Sequence, residues 1–255
     1  MAIVLKSPDE IAVIAEAGKI ITEIFRQLEN IVTPGKTTGM IGAEIKEIIT
    51  LQGGRPAFLG YRGFPGPVCI SINDEIVHGI PSSRKICPGD LVKIDVGVEY
   101  RSYFADAARS IVVERNDRAE RLLRATRKAL DIGIASIKIG GHISDISNAI
   151  EQYIKGQGFS VVRDLTGHGV GLALHEDPPV PNFGQSGFGP EIEPGMVLAI
   201  EPMVNEGSGE TVVAKNGWTV LTRDGSLSAH FEDTVAITEK GVRIVTRGGR
   251  WRKRI

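Results

Sequence analysis

Four carboxylates in this sequence lie inside apolar, strand-like runs, where an unpaired charge is energetically costly. Asp95 lies in VKIDVGV, Asp106 in YFADAAR, Glu201 in VLAIEPMV and Glu232 in SAHFEDTVAI. A carboxylate in a buried sheet has to be paired, protonated or bound to a metal ion. One such residue alone would be read as a satisfied polar group of the core. Four of them, with hardly any Lys or Arg in the same runs, predict a site for divalent metal ions.

Two histidines add to this pattern. His168 and His175 lie in LTGHGVGLALHEDPPV, where the glycines allow tight turns and close approach of the backbone. The stretch HEDPP lacks a second histidine at the HExxH spacing, so zincin chemistry is excluded. Carboxylates with an imidazole suit a hard or borderline divalent pair better than a thiolate-rich zinc site does. Taken alone, His142 is a surface or capping residue and His78 is a loop histidine.

The elements that position these residues begin with two helices. Ser7 is a plausible N-cap, Pro8 suits the first helical position, and Glu10 completes a capping box. Apolar residues with helical spacing then continue to Leu28, and a second amphipathic helix is predicted from about Thr38 to Leu51. Strand-like runs follow in PVCISI, DLVKIDVGVEY and YFADAARSIVV.

The same order of elements then starts again. Asp117 is expected to cap a long helix that reaches toward Ile137, a helix follows over Ser144–Ile154, and strands resume at FSVVRDL. Gly and Ile residues of the two second helices align at a fixed offset, with Gly35, Ile41 and Gly53 matching Gly140, Ile146 and Gly158. The repeat predicts an α+β fold with two similar halves and a central, mostly antiparallel sheet covered by helices. No linker divides the sequence, so a single catalytic domain is expected over residues 1–255.

Composition narrows the class of protein. The 255 residues have a net charge of −1 and 42% hydrophobic content, without an apolar run long enough to cross a bilayer. The first residues do not resemble a secretory signal, and Cys69 and Cys87 are too few for a disulfide framework, so a cytoplasmic protein with reduced thiols is expected. The one local charge excess is a basic C-terminal tail, RGGRWRKRI, over residues 247–255.

At this point the sequence resembles a known family. The ordered series of Asp95, Asp106, His168, Glu201 and Glu232 is similar to the metal ligands of methionine aminopeptidases and their relatives with the pita-bread fold. The surrounding strings HGIP, IDVGV, ADAARS, GHGVG, AIEPMV and SAHFEDT match as well. The resemblance extends from the first helix to about residue 240 and implies the pita-bread version of the α+β fold.

Three features favour the short, type I member of that family. Aminopeptidase P and prolidase relatives carry an added N-terminal domain, and none fits before Ser7. Type II methionine aminopeptidases carry a helical insertion between the last two glutamate ligands, whereas only 30 residues lie between Glu201 and Glu232. No Cys-rich zinc-binding extension is present.

The resemblance implies a role for each candidate residue. Asp106 and Glu232 would bridge two divalent ions, Asp95 would hold one of them, and His168 and Glu201 the other. Glu201 would be the general base and acid, His175 would stabilise the oxyanion, and His78 would position the backbone of the second residue. The pocket for the Met side chain would be formed by Tyr61, Phe64, Cys69 and Trp218, and His78 and His175 would bind the substrate as well. Phe58, Leu174 and His230 depart from the family pattern and leave the pocket shape open.

The implied activity is removal of the N-terminal methionine from nascent proteins and peptides when the second residue is small. The ions would be Co, Mn, Fe or Zn. The alternatives are a proline-specific aminopeptidase of the same fold and a metal-free binding module. The expected partners are N-terminal Met peptides and nascent chains, with a weak contact between the basic tail and the ribosome. A monomer without membrane association is expected.

Overall fold

The computed structural model of this protein describes residues 3–247 and the backbone of residues 251–252. The helices are α1 (Pro8–Arg26), α2 (Leu28–Ile31), α3 (Thr38–Leu51), α4 (Asp117–Ala135) and α5 (Ile143–Gly156). A short 3-10 turn covers Tyr61–Gly63. The strands are β1 (Arg55–Pro56), β2 (Cys69–Ile72), β3 (Glu75–Val77), β4 (Leu91–Tyr100), β5 (Tyr103–Val112), β6 (Ser160–Val161), β7 (Thr166–Gly169), β8 (Glu176–Pro181), β9 (Val197–Ile200), β10 (Met203–Asn205), β11 (Thr211–Val213), β12 (Val220–Thr222), β13 (Ser228–His230), β14 (Asp233–Thr238), β15 (Gly241–Ile244) and β16 (Trp251–Arg252).

The strands form antiparallel sheets, in agreement with the expected fold class. In the N-terminal half, β4 pairs with β1, β2 and β5. In the C-terminal half, six strands follow the order β16-β15-β14-β9-β7-β8. Two smaller three-stranded sheets, β13-β10-β6 and β11-β12-β3, complete the structure. Within the described part of the chain, no helix is long and apolar enough to cross a membrane.

The internal repeat predicted from glycine and isoleucine spacing corresponds to two matching helix pairs. The pair α1 and α3 has 19 and 14 residues, and the pair α4 and α5 has the same two lengths. Gly35 and Gly140, which precede the second helix of each pair, have φ angles of 86° and 80°. Because few other residues adopt positive φ easily, the repeated glycines reflect a repeated turn.

Each helix pair covers one sheet and encloses its own hydrophobic core. In the N-terminal half, apolar residues of α1 and α3 pack against β2, β4 and β5, with Ile14, Ile45 and Val96 fully buried. In the C-terminal half, α4 and α5 pack against β9 and β14, with Leu130 and Ile150 fully buried. The two cores leave the facing sheet surfaces to carry polar residues.

The helix boundaries follow the predicted capping signals with one correction. The Ser7 hydroxyl accepts a hydrogen bond from the Glu10 N–H, and the Glu10 carboxylate accepts one from the Ser7 N–H at 2.7 Å. The cap of α4 is Asn116 rather than Asp117, because the Asn116 side chain accepts from the Ala119 N–H at 3.2 Å. An amide oxygen caps as well as a carboxylate does, and the sequence ND could not decide between them.

The predicted basic tail is only partly described. The Arg247 guanidinium bonds the carboxylates of Asp233 and Asp131, at 2.6 and 2.5 Å. The backbone of Trp251 and Arg252 pairs with β15. Residues 248–250 and 253–255, and the side chains of Trp251 and Arg252, lie outside the described residues.

Candidate metal centre

The register of β4 and β5 brings the first two carboxylates together. Asp95 lies opposite Ala108, and Asp106 lies opposite Gly97, so the two acids are diagonal neighbours. Residues directly opposite one another in an antiparallel pair share a face of the sheet. Asp95 and Asp106 therefore project from the same face. Cys69 of β2 lies opposite Asp95 from the other side and shares that face too.

The other three predicted ligands come from β7, β9 and β14. His168 lies opposite Ala199, and Asp233 lies opposite Ile200. Glu201 directly follows β9 and Glu232 directly precedes β14, so antiparallel pairing brings these two glutamates side by side. The His168 Nε2 lies 3.6 Å from Glu201 Oε1.

A short backbone contact between β5 and the start of β14 joins the two halves at the site. The Glu232 N–H donates to the Ala108 carbonyl at 3.0 Å, and the Ala108 N–H donates back at 3.4 Å. The Thr234 hydroxyl accepts from the Asp106 N–H at 2.9 Å and donates to the Asp106 carbonyl at 2.7 Å. The acids of both halves therefore face one cavity.

The five residues fit a site for divalent metal ions. Ligand atoms of Asp106, His168 and Glu232 lie within 4.8 Å of one another, and Asp95 and Glu201 line the same cavity. One side-chain oxygen each of Asp95, Asp106 and Glu232 is buried without a hydrogen-bond partner among residues 3–247. Among the described residues, none of the four carboxylates forms an ion pair with a lysine or arginine, and the Glu201 carboxylate lies within 4 Å of His168 and His230. Such oxygens are costly unless a cation binds them.

The electrostatics of the cavity agree with this interpretation. Burial raises the pKa of Asp95, Glu201 and Glu232 well above the ordinary carboxyl value, and repulsion from neighbouring carboxylates adds to the effect. Burial also raises the pKa of Asp106. The pKa of His168 is lowered to about 4, because burial disfavours the imidazolium. The imidazole is therefore neutral at physiological pH, which is the form that binds metals.

His230 lies directly beside this cluster. Its Nε2 is 3.4 Å from Glu201 Oε2, and in the described part of the chain neither ring nitrogen has a hydrogen-bond partner. Burial lowers the pKa of His230 to about 3, so the ring is neutral. His230 is a departure within the otherwise matching string SAHFEDT, and the departure results in this contact with Glu201.

The cavity has a volume of about 150 Å³ and combines the acidic cluster with an apolar wall. All predicted site residues line it, namely Tyr61, Phe64, Cys69, His78, Asp95, Asp106, His168, His175, Glu201, Trp218 and Glu232. Phe64 and Trp218 meet edge to face, with ring centroids 5.3 Å apart. Burial raises the pKa of the Cys69 thiol, and the nearby carboxylates add to this, so Cys69 is a neutral thiol.

Phe58 also lines the cavity, where it fills the space above Gly97. A Cβ at Gly97 would lie 2.7 Å from Phe58 Cε1, so only glycine leaves room for the ring. Leu174, the other departure in the apolar wall, is buried in the same cluster as Phe58. Arg62 and Val77 line the cavity as well, and neither was expected from the sequence. Arg62 adopts φ 50° in a turn. The neighbouring glycines predict a turn here, but they do not predict that the Arg62 side chain lines the cavity.

His175 lies at the rim of the cavity, against two other rings. Its centroid is 4.2 Å from that of His168, and its Nδ1 lies 3.0 Å from the Tyr61 hydroxyl. Although one side of His175 is exposed, partial burial lowers its pKa, and the charges of His168 and Arg62 act in the same direction. Burial lowers the pKa of His78 too. Both imidazoles are therefore neutral near pH 7.

A larger cavity of about 670 Å³ lies elsewhere on the surface and does not offer a comparable site. Its Glu151 is paired with Lys155 and Arg163, and its Glu210 is paired with Arg223. Because these acids already have cationic partners, the smaller cavity is the better candidate for metal chemistry.

Comparison with known proteins agrees with this geometry. Residues 12–239 match the model of metallopeptidase family M24. The chain belongs to this family. It is 47% identical over 245 residues to a methionine aminopeptidase of Clostridium perfringens, which covers 96% of this chain and 98% of that protein. It is 44% identical over 246 residues to methionine aminopeptidase 1 of Bacillus subtilis, and this match covers 96% of this chain and 99% of that protein.

Solved structures give the same result. A crystal structure of methionine aminopeptidase from Thermotoga maritima matches with a TM-score of 0.94 and 43% identity, covering 96% of this chain and 100% of that one. The prolidase from Pyrococcus horikoshii matches with a TM-score of 0.76 and 27% identity, and only 63% of that chain is covered. The predicted family, the pita-bread α+β fold and the assignment to the metal-dependent hydrolases are confirmed.

Proposed function

We propose that this family M24 enzyme removes the N-terminal methionine from peptides and nascent proteins whose second residue is small. The observation that carries the proposal is one cavity in which three buried carboxylates, the half-buried Glu201 carboxylate and an imidazole face an apolar, aromatic wall. The acidic side has the donors for metal chemistry, and the wall has the size and character for one apolar side chain. Residues 1–255 are proposed to act as one catalytic domain.

The acidic cluster is proposed to hold two divalent ions. Asp106 and Glu232 would bridge them, Asp95 would hold one, and His168 with Glu201 the other. When bound, two such ions supply Lewis acidity and make hydroxide from water near neutral pH. Carboxylate-rich sites accept Co, Mn, Fe and Zn, so occupancy follows the supply in the cell. Metal analysis of protein purified from its own host identifies the ions.

Three side chains are proposed to act on the substrate. Glu201 would take the proton of the attacking water and return it to the leaving amine, since it is both a ligand and the carboxylate nearest His168. His175 would donate to the tetrahedral oxyanion, and His78 would hold the backbone of the second residue. The lowered pKa of both histidines keeps them neutral, so each presents one N–H donor.

The apolar wall is proposed to bind the methionine side chain. Tyr61, Phe64 and Trp218 offer ring faces and edges, which form favourable contacts with a thioether. Cys69, a neutral thiol, adds a further polarisable contact. Phe58 limits the depth of this pocket because it packs over Gly97.

Peptide hydrolysis tests the proposal. The enzyme is expected to release Met from Met-Ala-Ser but not to cleave Ala-Pro peptides, which a proline-specific aminopeptidase would prefer. That rival is disfavoured by the lower identity to prolidase, 27% against 43%. Met before Lys or Arg should be released slowly, because a large second side chain meets His78. Comparable rates for Met-Ala and Met-Lys peptides would contradict the assigned specificity. Protein that binds no metal and hydrolyses neither peptide would favour the metal-free binding module.

The proposed partners are N-terminal Met peptides and nascent chains, and the enzyme is proposed to act in the cytoplasm as a monomer. A weak, salt-sensitive contact between the basic tail and ribosomal RNA is proposed as well, because phosphates attract arginine and bases stack on aromatic rings. Deletion of the residues after Arg247 should leave tripeptide hydrolysis unchanged and weaken co-sedimentation with ribosomes at low salt. Ribosome binding that survives this deletion would exclude the tail as the contact.

A further inference from the structure

Lys6 lies in front of α1 and has an almost completely buried ammonium group. Its side chain is only 1% exposed, and its Nζ forms an ion pair with the Glu176 carboxylate. The Nζ also donates to the Val4 carbonyl at 2.9 Å. The Lys6 backbone is fixed as well, since its N–H donates to the Gly195 carbonyl at 2.7 Å. A lysine in this position is a rigid charged contact rather than a mobile surface group.

The partner of Lys6 organises the loop between β7 and β8. The other oxygen of Glu176 accepts hydrogen bonds from the N–H groups of Leu172 and Ala173, at 2.6 and 2.8 Å. These two bonds close residues 172–175 over the carboxylate. His175 is the last residue of this closed loop, directly before Glu176. The position of the Glu176 carboxylate therefore fixes the backbone that carries His175.

Lys6 touches the start of the same loop with its aliphatic stem. A Cβ at Gly171 would lie 2.8 Å from Lys6 Cε and 3.0 Å from Ile14 Cδ1. The Gly171 carbonyl accepts from the Phe104 N–H at 2.7 Å, which fixes this end to β5. The loop is thus held by Lys6 both at Gly171 and, through Glu176, at its far end.

The geometry points to Lys6 as a positioning residue that holds His175 over the metal centre through the Glu176 carboxylate. The inference rests on the proposed role of His175 as oxyanion donor. Without the ammonium, the half-buried carboxylate of Glu176 loses its counter-charge and draws in water, which weakens its bonds to Leu172 and Ala173. A displacement of a catalytic group by about 1 Å can cost as much as a hundredfold in rate. Because Phe104 still holds the loop, a smaller loss of about tenfold in kcat is expected.

The test is a double-mutant cycle on the metal-loaded enzyme. Lys6→Met and Glu176→Gln should each lower kcat for Met-Ala-Ser about tenfold, with KM and metal content unchanged. The double variant Lys6→Met/Glu176→Gln should recover most of that loss, because it removes both charges and the glutamine oxygen still accepts the two N–H bonds. Amide exchange at Leu172 and Ala173 should be faster in each single variant than in the double variant. Lys19→Met, on an exposed ion pair of α1, is the matched control and should behave as wild type.

The outcomes separate this inference from the proposed function. A merely structural ion pair would lower the melting temperature of Lys6→Met without changing kcat or loop exchange, and that result would overturn the inference. If Lys6→Met does not fold, the double variant Lys6→Met/Glu176→Gln must still have a higher kcat than Glu176→Gln. An equal or lower kcat for the double variant would also overturn the inference. If His175→Ala leaves kcat unchanged, the role of His175 is wrong, whatever the Lys6 variants do.

Discussion

The Tyr61 hydroxyl lies 3.0 Å from Nδ1 of His175, and the two rings stack with centroids 5.2 Å apart and an angle of 19° between their planes. The phenol belongs to the apolar wall of the cavity. A phenol that donates to Nδ1 leaves the imidazole proton on Nε2. When the phenol is the donor, the Nε2–H is available to an oxyanion in the cavity, and this is the tautomer that the proposed mechanism requires.

Replacement of Tyr61 by phenylalanine should lower kcat about fivefold, corresponding to the loss of one hydrogen bond of about 1 kcal/mol. The ring stack is retained in Tyr61→Phe, so KM for Met-Ala-Ser should change little. Tyr103→Phe is the control, because it removes a hydroxyl that bonds Glu10 on the surface, at 3.2 Å. Steady-state kinetics of the three proteins check the prediction. Equal kcat values would mean that the Nδ1 contact does not set the tautomer.

Asp106 and His175 should respond differently to substitution. Asp106→Asn removes a proposed bridging ligand, so activity and bound metal should be lost together. His175→Ala should retain its metal and lose about a hundredfold in kcat, as removal of a single oxyanion donor does. Metal content by mass spectrometry and kinetics on the same samples check both. A His175→Ala protein as poor in metal as Asp106→Asn would make His175 a ligand.

The same Asp106→Asn variant should be more stable than wild type when both are free of metal. It removes a buried carboxylate that has an unpartnered oxygen and like-charged neighbours, which should raise the free energy of unfolding by about 1–3 kcal/mol. Chemical denaturation in the presence of a chelator measures this difference. Addition of metal should stabilise wild type alone, since the variant cannot bind it. If metal-free Asp106→Asn were less stable than metal-free wild type, the Asp106 carboxylate would have to make a stabilising contact in the absence of metal.

Metal binding should release protons below neutral pH. The raised pKa of Asp95, Glu201 and Glu232 means that these groups hold protons where ordinary carboxyls are ionised, and metal displaces them. His168 should contribute none near pH 6, because its pKa of about 4 leaves it neutral. Calorimetry in buffers of different ionisation enthalpy gives the number of protons. The number of protons released should fall as pH increases through the raised pKa values of the carboxyl groups. Metal affinity should rise over the same range of pH. Binding without proton release at pH 6 would show that the carboxylates are already ionised.

Phe58 should limit the length of the side chain that the pocket accepts. Phe58→Cys is expected to improve binding of substrates in which ethionine replaces methionine, relative to Met-Ala-Ser, because the ring over Gly97 is removed. The control is Phe188→Cys, since Phe188 is 58% exposed and outside the cavity. The ratio of kcat/KM for the two substrates measures the effect. An unchanged ratio in Phe58→Cys would exclude the ring from the side-chain pocket.

The acidic cluster could be predicted from the sequence because each member has a local signal. A carboxylate such as Asp95 is unusual in an apolar strand, and this can be recognised from the ten residues around it without knowledge of the rest of the fold. The relationship between Gly97 and Phe58 depends on strand register and loop path, which no local pattern specifies. The ion pair of Lys6 and Glu176 joins residues 170 positions apart. In its own sequence context, neither residue can be distinguished from an ordinary charged surface residue. The repeat of helices was predictable because glycine is required at positive φ, as at Gly35 and Gly140.

Asp233 directly follows the proposed ligand Glu232, and its own structural importance is not apparent from the sequence. Its carboxylate is fully buried and accepts from Arg109 and Arg247, each at 2.6 Å, and from the Thr246 hydroxyl at 2.8 Å. Arg109 also donates to the Glu232 carbonyl at 2.5 Å. The same guanidinium thus holds Asp233 and the backbone of a proposed metal ligand.

Asp233→Asn should therefore be strongly destabilising, because it leaves two guanidinium groups without their buried counter-charge. Loss of one partner of a buried ion pair costs about 3–5 kcal/mol, and the partial exposure of both arginines favours the lower end of about 3 kcal/mol. In a chain of this size that corresponds to a decrease of about 6–12 °C in melting temperature. Glu210→Gln, which breaks an exposed ion pair with Arg223, should change stability by less than about 0.5 kcal/mol. Thermal unfolding of the metal-free proteins gives the comparison without any contribution from bound ions. Equal melting temperatures for the two variants would mean that water replaces the lost charge, and that the contact between Arg109 and Glu232 is sufficient to hold β14 against β5.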